Sequence, residues 1–277
     1  METNQIAFDD GAGYERYMGK WSQLAGEVFL RWLAAAPGLR WLDVGCGNGA
    51  FTEMIVQGCG PASVHGIDPS EEQLAFARAR PALHVAEFHQ GDAMALPFPD
   101  DTFDVAIMPL VIFFVPEPAK GVAEMARVVR PGGIVAAYAW DMSGGGFPYH
   151  VLRFEMHELG AVVPEPPHPD ASRIDVMRDL WPRAGLDTVE TREITVERTF
   201  DDFDDYWTTV LLGPSVRRPL AAMSSEDTAR LKARMRVRLP ADSAGHITYS
   251  ARANAVRGRV TDIGRFSSSS DLRRSQT

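Results

Sequence analysis

Short apolar runs alternate with amphipathic stretches along the first half of the chain. The runs predict β-strands near 40–45, 63–68, 84–90, 103–108 and 133–140. Helices are predicted between them over 70–80 and 117–130, and Pro131-Gly132-Gly133 is expected to end the second helix. Strands and helices that alternate in this way are typical of a doubly wound α/β fold with a parallel sheet.

Two later segments contain apolar residues that alternate with polar ones. Residues 186–200 place Ile194 and Val196 between polar neighbours, and 247–255 carries apolar odd and polar even positions. A period of two is typical of strands with one buried face. We predict these segments as the sixth and seventh strands, and the clear polar face of the last one predicts that it is less covered than the same strand in similar proteins.

The first predicted strand runs directly into a glycine-rich turn, WLDVGCGNG over Trp41–Gly49. Glycines at alternate positions allow backbone to pack against a ligand where a side chain would collide. The second predicted strand ends in Asp68, nineteen residues after Gly49. A carboxylate there can accept hydrogen bonds from both hydroxyls of a ribose. Together the turn and the acid predict a site for a nucleotide-like cofactor.

The spacing G-x-G-x-G, followed by Ala50, differs from the G-x-G-x-x-G of dinucleotide enzymes and resembles the class I S-adenosylmethionine-dependent methyltransferases. The segments QGDAMALPFPDDTFDVAIMPLVIFFV and VVRPGG extend the resemblance to the type 11 methyltransferases, over about residues 14–141. It implies S-adenosylmethionine as cofactor, S-adenosylhomocysteine as product, and transfer of a methyl group. It also implies a Rossmann-like, mostly parallel seven-stranded sheet with an antiparallel hairpin at one edge and helical cap segments.

The resemblance also assigns residues to the cofactor. Asp92 and the backbone N–H of Ala93 are placed to complement the donor and acceptor of adenine. Tyr14, Tyr17 and Trp21 are placed near the sulfonium, although their helical spacing fits a core stripe equally well. The full set of expected cofactor residues is Tyr17, Trp21, Asp43, Gly45, Cys46, Gly47, Gly49, Asp68, Pro69, Gln73, Gly91, Asp92, Ala93, Met108, Pro109 and Leu110.

We expect one methyltransferase domain over residues 1–260. Its expected parts are N-terminal lid helices over 1–36, a cofactor-binding core over 37–141, and two cap segments on the acceptor side, 142–185 and 201–240. Ordinary packing helices are the alternative interpretation of the caps. The Ser-rich segment 261–277 is predicted to be a disordered tail.

Methyl transfer by in-line displacement needs no dedicated acid or base, because alignment and a dry pocket supply much of the rate. If the acceptor must lose a proton, His150 is the candidate catalytic base, with His157, Tyr149 and Asp141 as alternatives. Phe113 and Phe114 stand where quinone- and sterol-methylating relatives carry histidine, which predicts an apolar acceptor face. A structural role is the competing interpretation for each of these side chains.

The composition of the chain limits the classes of molecule that it is expected to bind. The net charge is −9 and no basic stripe is present, so we expect a small-molecule acceptor and no nucleic acid. Two cysteines give neither a disulfide framework nor metal-site spacing, and no bound metal is expected. No apolar run of about 18 residues and no leader pattern occur, which predicts a cytoplasmic protein without membrane spans. The oligomeric state is open, and a homodimer is one option.

Two other functional classes fit parts of the pattern. A cofactor-binding protein without transfer activity would keep the same glycines and acids. A nicotinamide-dependent oxidoreductase is disfavoured, because the third-glycine spacing and a Tyr-x-x-x-Lys pair are both missing.

Overall fold

A computed structural model describes residues 15–261. Seven strands form one sheet: β1 Arg40–Val44, β2 Ser63–Asp68, β3 Ala86–Gln90, β4 Phe103–Pro109, β5 Val129–Trp140, β6 Leu186–Phe200 and β7 Ile247–Val260. Their order across the sheet is β3-β2-β1-β4-β5-β7-β6. The first five strands are parallel, and β7 is antiparallel to both β5 and β6. The predicted fold class, with its antiparallel edge hairpin, is confirmed.

The described α-helices are α1 Lys20–Leu33, α2 Ala50–Gly58, α3 Glu71–Ala79, α4 Pro118–Val128, α5 His150–Glu158, α6 Ile174–Arg183, α7 Phe203–Val210, α8 Pro214–Ala222 and α9 Ser225–Arg238. A π-helical turn over Glu15–Gly19 precedes α1. The expected tail and Tyr14 lie outside the described residues, apart from position 261. Within residues 15–261, none of the helices combines the length and apolarity that a membrane crossing requires.

The central strands are buried on both faces, and alternate side chains feed two separate cores. In β5, Tyr138 belongs to the core on one face and Val135 to the core on the other. The first core also holds side chains of α1, α2, α5 and α7–α9, whereas the second is closed by α4 and α6. This double burial explains why β1, β4 and β5 appear in the sequence as nearly continuous apolar runs.

The loops that carry the candidate site residues leave the sheet at the carboxyl ends of its parallel strands. β6 and β5 run in the same direction because each is antiparallel to β7. Consequently β6 ends at the same edge as β5, and α7–α9 connect it to the start of β7 there. Open α/β sheets bind ligands at this edge.

Two predicted elements differ from the structure. β5 begins at Val129, so Pro131-Gly132-Gly133 lies inside the strand instead of ending the helix. The chain accommodates these residues through a register shift, since Phe103 pairs with Val129 whereas Val105 pairs with Ile134. β7 continues to Val260, beyond the predicted end at residue 255, and its polar positions are mixed, with Thr248 and Ser250 exposed and Asn254 buried.

Candidate active site

The glycine turn joins β1 to α2, and all three glycines adopt positive φ. A Cβ at Gly45 would lie 2.5 Å from Val111, and one at Gly49 would lie 2.6 Å from Leu83. A Cβ at Gly47, in contrast, would meet only the Gln73 Oε1 atom, at 3.9 Å. The outer glycines therefore permit tight packing within the protein, whereas the middle one faces open space.

Asp43 lies fully buried beneath this turn. Its Oδ2 accepts a hydrogen bond from Thr52 Oγ1 at 2.7 Å, and its Oδ1 has no hydrogen-bond partner among the described residues. Burial raises the pKa of Asp43 to about 7. A buried carboxylate oxygen without a donor is costly, so a ligand that brings a donor or a cation to it would be favoured. The role of Thr52 was not predicted from the sequence.

Asp68 ties the tip of β2 to the glycine turn. Its Oδ2 accepts from the Gly47 N–H and its Oδ1 from the Ser70 N–H, both at 2.9 Å. Burial raises the pKa of this carboxyl. The neighbouring Pro69 carbonyl accepts a hydrogen bond from Gln90 Nε2 at 3.0 Å. The first two strand ends are thereby held together by one carboxylate.

The inner wall of the turn is close-packed. Cys46 is buried and donates its N–H to the Ile67 carbonyl at 3.1 Å. Burial raises the pKa of the Cys46 thiol far above its ordinary value, so it stays protonated. Cys46 therefore contributes shape and backbone to the site rather than a thiolate.

The end of β3 forms a tight turn around Asp92. Asp92 Oδ1 accepts from the Met94 N–H at 2.8 Å, and the Ala95 N–H donates to the Asp92 carbonyl at 3.0 Å. Gly91 donates to the Asp68 carbonyl, and a Cβ there would meet Ile67 at 2.7 Å. This turn places the expected adenine residues at the same sheet edge as Asp68.

The end of β4 carries backbone strain. Leu110 adopts φ of 60°, which is uncommon for a residue with a side chain, and its N–H donates to the Tyr138 carbonyl at 2.7 Å. The next residue, Val111, is the one that packs against Gly45. Met108 is fully buried. Strained backbone held by its surroundings is enriched at functional sites.

The type 11 methyltransferase-domain family model matches residues 42–137. That range begins in β1, ends in β5, and includes the glycine turn and all three acids described above. Residues 42–137 therefore match a methyltransferase domain of type 11.

Several characterised methyltransferases are similar to this domain. The chain is 43% identical over 96 residues to the chloroplastic 2-methyl-6-phytyl-1,4-hydroquinone methyltransferase 2 of Oryza sativa subsp. japonica, covering 35% of this chain and 28% of that protein. It is 38% identical over 100 residues to a fatty-acid O-methyltransferase of Mycolicibacterium smegmatis, covering 36% of each. A demethylmenaquinone methyltransferase of Desulfitobacterium hafniense is 37% identical over 108 residues, covering 37% of this chain and 43% of that protein. The matches thus span less than half of each of these relatives.

Solved structures share the fold over most of the chain. The YcgJ protein of Bacillus subtilis superposes with a TM-score of 0.58 at 17% identity, covering 86% of this chain and 98% of that chain. Haemonchus contortus phosphoethanolamine N-methyltransferase 2, solved with phosphomonomethylethanolamine and S-adenosylhomocysteine, gives 0.55 at 17% identity, covering 90% and 56%. These likenesses extend the methyltransferase fold beyond residues 42–137.

The N-terminal aromatics lie in the first core, outside the matched residues 42–137. Tyr17 and Trp21 are both buried, and the Tyr17 ring stacks on Tyr149 with centroids 4.4 Å apart. Tyr149 Oη accepts from Trp21 Nε1 at 3.1 Å and donates to the Tyr17 carbonyl at 2.6 Å. Burial raises the pKa of Tyr149, so it is a poor base at neutral pH. This cluster anchors the segment before α1 to the start of α5.

Among the candidate bases, His150 is a half-buried residue at the start of α5. Its Nε2 would lie 3.2 Å from a Cβ built on Gly145. Asp141 is engaged elsewhere, since its carboxylate accepts from Arg252 and from the Gly144 N–H. His157 lies at the other end of α5 with its side chain 79% exposed. His150 is therefore the candidate that is only half-buried and lies at the start of α5, after the end of β5.

Proposed function

We propose that this protein transfers the methyl group of S-adenosylmethionine to a small, partly apolar organic acceptor. The observation that carries the proposal is the paired geometry of Gly47 and Asp68. A Cβ built on Gly47 would point into open space, and the Gly47 N–H donates a hydrogen bond to the Asp68 carboxylate. A backbone surface held rigid beside a carboxylate suits a ligand that combines an amino acid with a ribose.

The residues at this edge fit the cofactor's separate parts. Asp68 has acceptor capacity beyond its two backbone donors for ribose hydroxyls. Asp92 and the Ala93 N–H would hold adenine, and Asp43 with the turn over Gly45 and Gly47 would hold the amino acid part. The other cofactor residues that we propose are Tyr17, Trp21, Cys46, Gly49, Pro69, Gln73, Gly91, Met108, Pro109 and Leu110.

S-adenosylmethionine, when bound, supplies a methyl group on a positively charged sulfur. The protein's part is to align the acceptor and to exclude water, which together lower the barrier by about 7–11 kcal/mol in favourable cases. We assign water exclusion to the caps over 142–185 and 201–240, within one domain over 1–260. Their helices α5 and α7–α9 leave from the carboxyl edge and share one core with α1.

A partly apolar acceptor is supported by two observations. The curated relatives named above act on a hydroquinone, a fatty acid and demethylmenaquinone. In this chain Phe113 and Phe114 pack edge to face 4.7 Å apart after β4, and the Phe114 residue is 40% exposed. Where the acceptor must lose a proton, we assign its removal to His150.

The test is calorimetric titration of the protein with S-adenosylmethionine and with S-adenosylhomocysteine. We expect micromolar binding that weakens at least about tenfold in Asp68→Asn, because a hydrogen bond to a charged group contributes about 1.5–3 kcal/mol. Asp242→Asn is the matched control. Asp242 also accepts two backbone N–H bonds, from Ala244 and His246, but in the loop before β7.

Transfer is tested separately by incubating the protein with methyl-labelled cofactor and a panel of hydroquinones, phenols, amines and fatty acids. Label in an organic product would support the enzyme assignment. Cofactor binding with no labelled product across the panel would instead favour a binding protein without transfer activity. Absence of binding by the parent protein would overturn the proposal at its first step.

A further inference from the structure

Two histidines and a glutamate converge at the β2–β3 edge of the sheet. In the parallel register His65 lies beside Glu87, and His89 follows two residues later on the same face of β3. Their potential ligand atoms all lie within 4.8 Å of one another. Among residues 15–261 this is the group of three such side chains that could surround a single ion.

The nitrogen geometry suits a shared metal ion. His65 Nδ1 lies 3.1 Å from His89 Nε2 and 3.8 Å from Glu87 Oε2, so one atom faces both partners. Two imidazole nitrogens bound at about 2.0–2.1 Å and separated by 3.1 Å subtend about 100° at the ion, close to the tetrahedral angle. The Glu87 side chain is 72% exposed, and its carboxylate already lies on the His65 side of the strand pair.

The surroundings hold the imidazoles in place. Phe98 packs edge-on against both rings, with centroids 5.9 Å from His65 and 5.1 Å from His89. Phe103 packs against His65 in the same manner at 5.4 Å. β3 is the edge strand, so the third ligand and any bound water have access from solvent. Rings fixed by packing bind an ion with less loss of side-chain entropy.

We propose that His65, Glu87 and His89 form a binding site for Zn²⁺ or a similar divalent transition-metal ion. Imidazole nitrogen is a preferred ligand of these ions, and two histidines with one carboxylate leave a fourth position for water. The ion would join β2 to β3 three residues before Asp68 and Asp92. Its effect is to stabilise the two strand ends, and this does not depend on the proposed methyl transfer.

An imidazole–imidazole hydrogen bond would also explain the 3.1 Å distance between the two nitrogens. Such a bond needs neither Glu87 nor an ion, so ligand substitution separates the two explanations. The first experiment is calorimetric titration of chelator-treated protein with ZnCl₂, in a Cys59→Ser background that removes the half-buried thiol. We expect one ion per chain.

The variants sharpen the test. His89→Gln and His65→Gln should each weaken Zn²⁺ binding at least about tenfold, and Glu87→Gln should weaken it as well. His246→Gln is the control, because His246 Nδ1 lies 3.6 Å from Asp242 on a distant loop. The Zn²⁺ affinity of His246→Gln should equal that of the parent protein.

Thermal unfolding provides a second readout that does not depend on any single variant. Zn²⁺ should raise the Tm of the parent and of His246→Gln but not that of His89→Gln. Co²⁺ should give the visible absorption of a four-coordinate nitrogen and oxygen site. Equal Zn²⁺ affinity in the parent and in His89→Gln, or no Tm shift in the parent, would overturn the proposal.

Discussion

At the scale of single residues, a substitution at Gly47 can distinguish an effect on ligand binding from an effect on folding stability. Its φ of 52° strains any residue with a side chain, yet a Cβ there has room. Gly38 has φ of 78° and also has room, but it lies in the exposed turn before β1. We predict that Gly47→Ala and Gly38→Ala each cost about 1 kcal/mol of unfolding free energy. Only Gly47→Ala should weaken S-adenosylhomocysteine binding, by at least about tenfold.

Urea unfolding and calorimetric titration of both variants measure these effects. Gly45→Ala completes the series, because its Cβ would collide with Val111 and the main loss should be in stability. Equal binding by the parent and Gly47→Ala would mean that the open space beside the turn is not part of a ligand site.

The buried carboxyl of Asp43 predicts a specific pH dependence. Its pKa is raised from 3.8 to about 7 by burial, so the folded state holds a proton that the unfolded state releases. Stability from this group is complete below about pH 3.8 and is lost as the pH rises to about 7. Relative to Asp43→Asn, the parent should therefore lose about 1.4 kcal/mol of unfolding free energy for each pH unit within that window.

Urea unfolding of both proteins between about pH 4 and pH 8 checks this prediction. Comparison with Asp43→Asn removes the contributions of other groups, such as Asp104, whose pKa is lowered by its hydrogen bonds with Arg40. A constant difference between the two proteins across the range would show that Asp43 does not titrate with a raised pKa.

The placement of the candidate site residues was predictable from sequence where it depends on local backbone. The three glycines and Asp43 follow from a strand that enters a turn. Asp68 ends the next strand, and the structure brings its carboxylate to the Gly47 N–H. Thr52 and Val111 were missed, because their roles depend on contacts across the turn rather than on a motif. Tyr17 and Trp21 have a spacing that fits both a core stripe and a lid, and both side chains are buried in the first core.

At the scale of elements, a buried glutamate joins two cap helices. Glu155 of α5 accepts from Arg234 Nη1 and from Arg238 Nε of α9, both at 3.0 Å, and the glutamate residue is 4% exposed. We predict that Glu155→Gln lowers the unfolding free energy by about 1–2 kcal/mol, since hydrogen bonds between charged groups are lost and the half-exposed arginines limit the effect.

The control is Asp204→Asn, which removes an exposed pair between α7 and Arg236 of the same helix α9. That change should alter stability by no more than about 0.5 kcal/mol. Urea unfolding measures both values. Similar losses in the two variants would mean that burial of Glu155 adds nothing to the contact between the caps.

Element prediction succeeded where the hydrophobic period is simple and failed where long-range pairing decides. β6 has the predicted bounds, and its buried Ile194, Val196 and Phe200 follow the expected period of two. β5 begins earlier than predicted, since pairing with β4 extends the strand across Pro131-Gly132-Gly133. In β7 the polar positions Arg252 and Asn254 are not a solvent face. Arg252 pairs with Asp141, and Asn254 is buried and donates to the Ser172 carbonyl.

At the scale of the whole molecule, the caps and the cofactor-binding core share one hydrophobic interior. Trp41 of β1, Met156 of α5 and Leu231 of α9 belong to the same buried cluster. β7 is the last described strand and is paired on both sides. A separate lid would need its own core, so these contacts favour a single cooperative unit over a core with an independently folded cap.

Native-state hydrogen exchange tests whether the caps and the cofactor-binding core unfold as one cooperative unit. We predict that amides of β1 and of the buried face of α9 exchange with one common opening free energy as denaturant is increased. S-adenosylhomocysteine should raise both by the same amount, because a ligand of the folded state stabilises the whole unit that must open. If α7–α9 exchange at a lower free energy that denaturant and ligand leave unchanged, the caps open on their own. The acceptor would then gain access through cap opening, with the core and the glycine turn remaining folded.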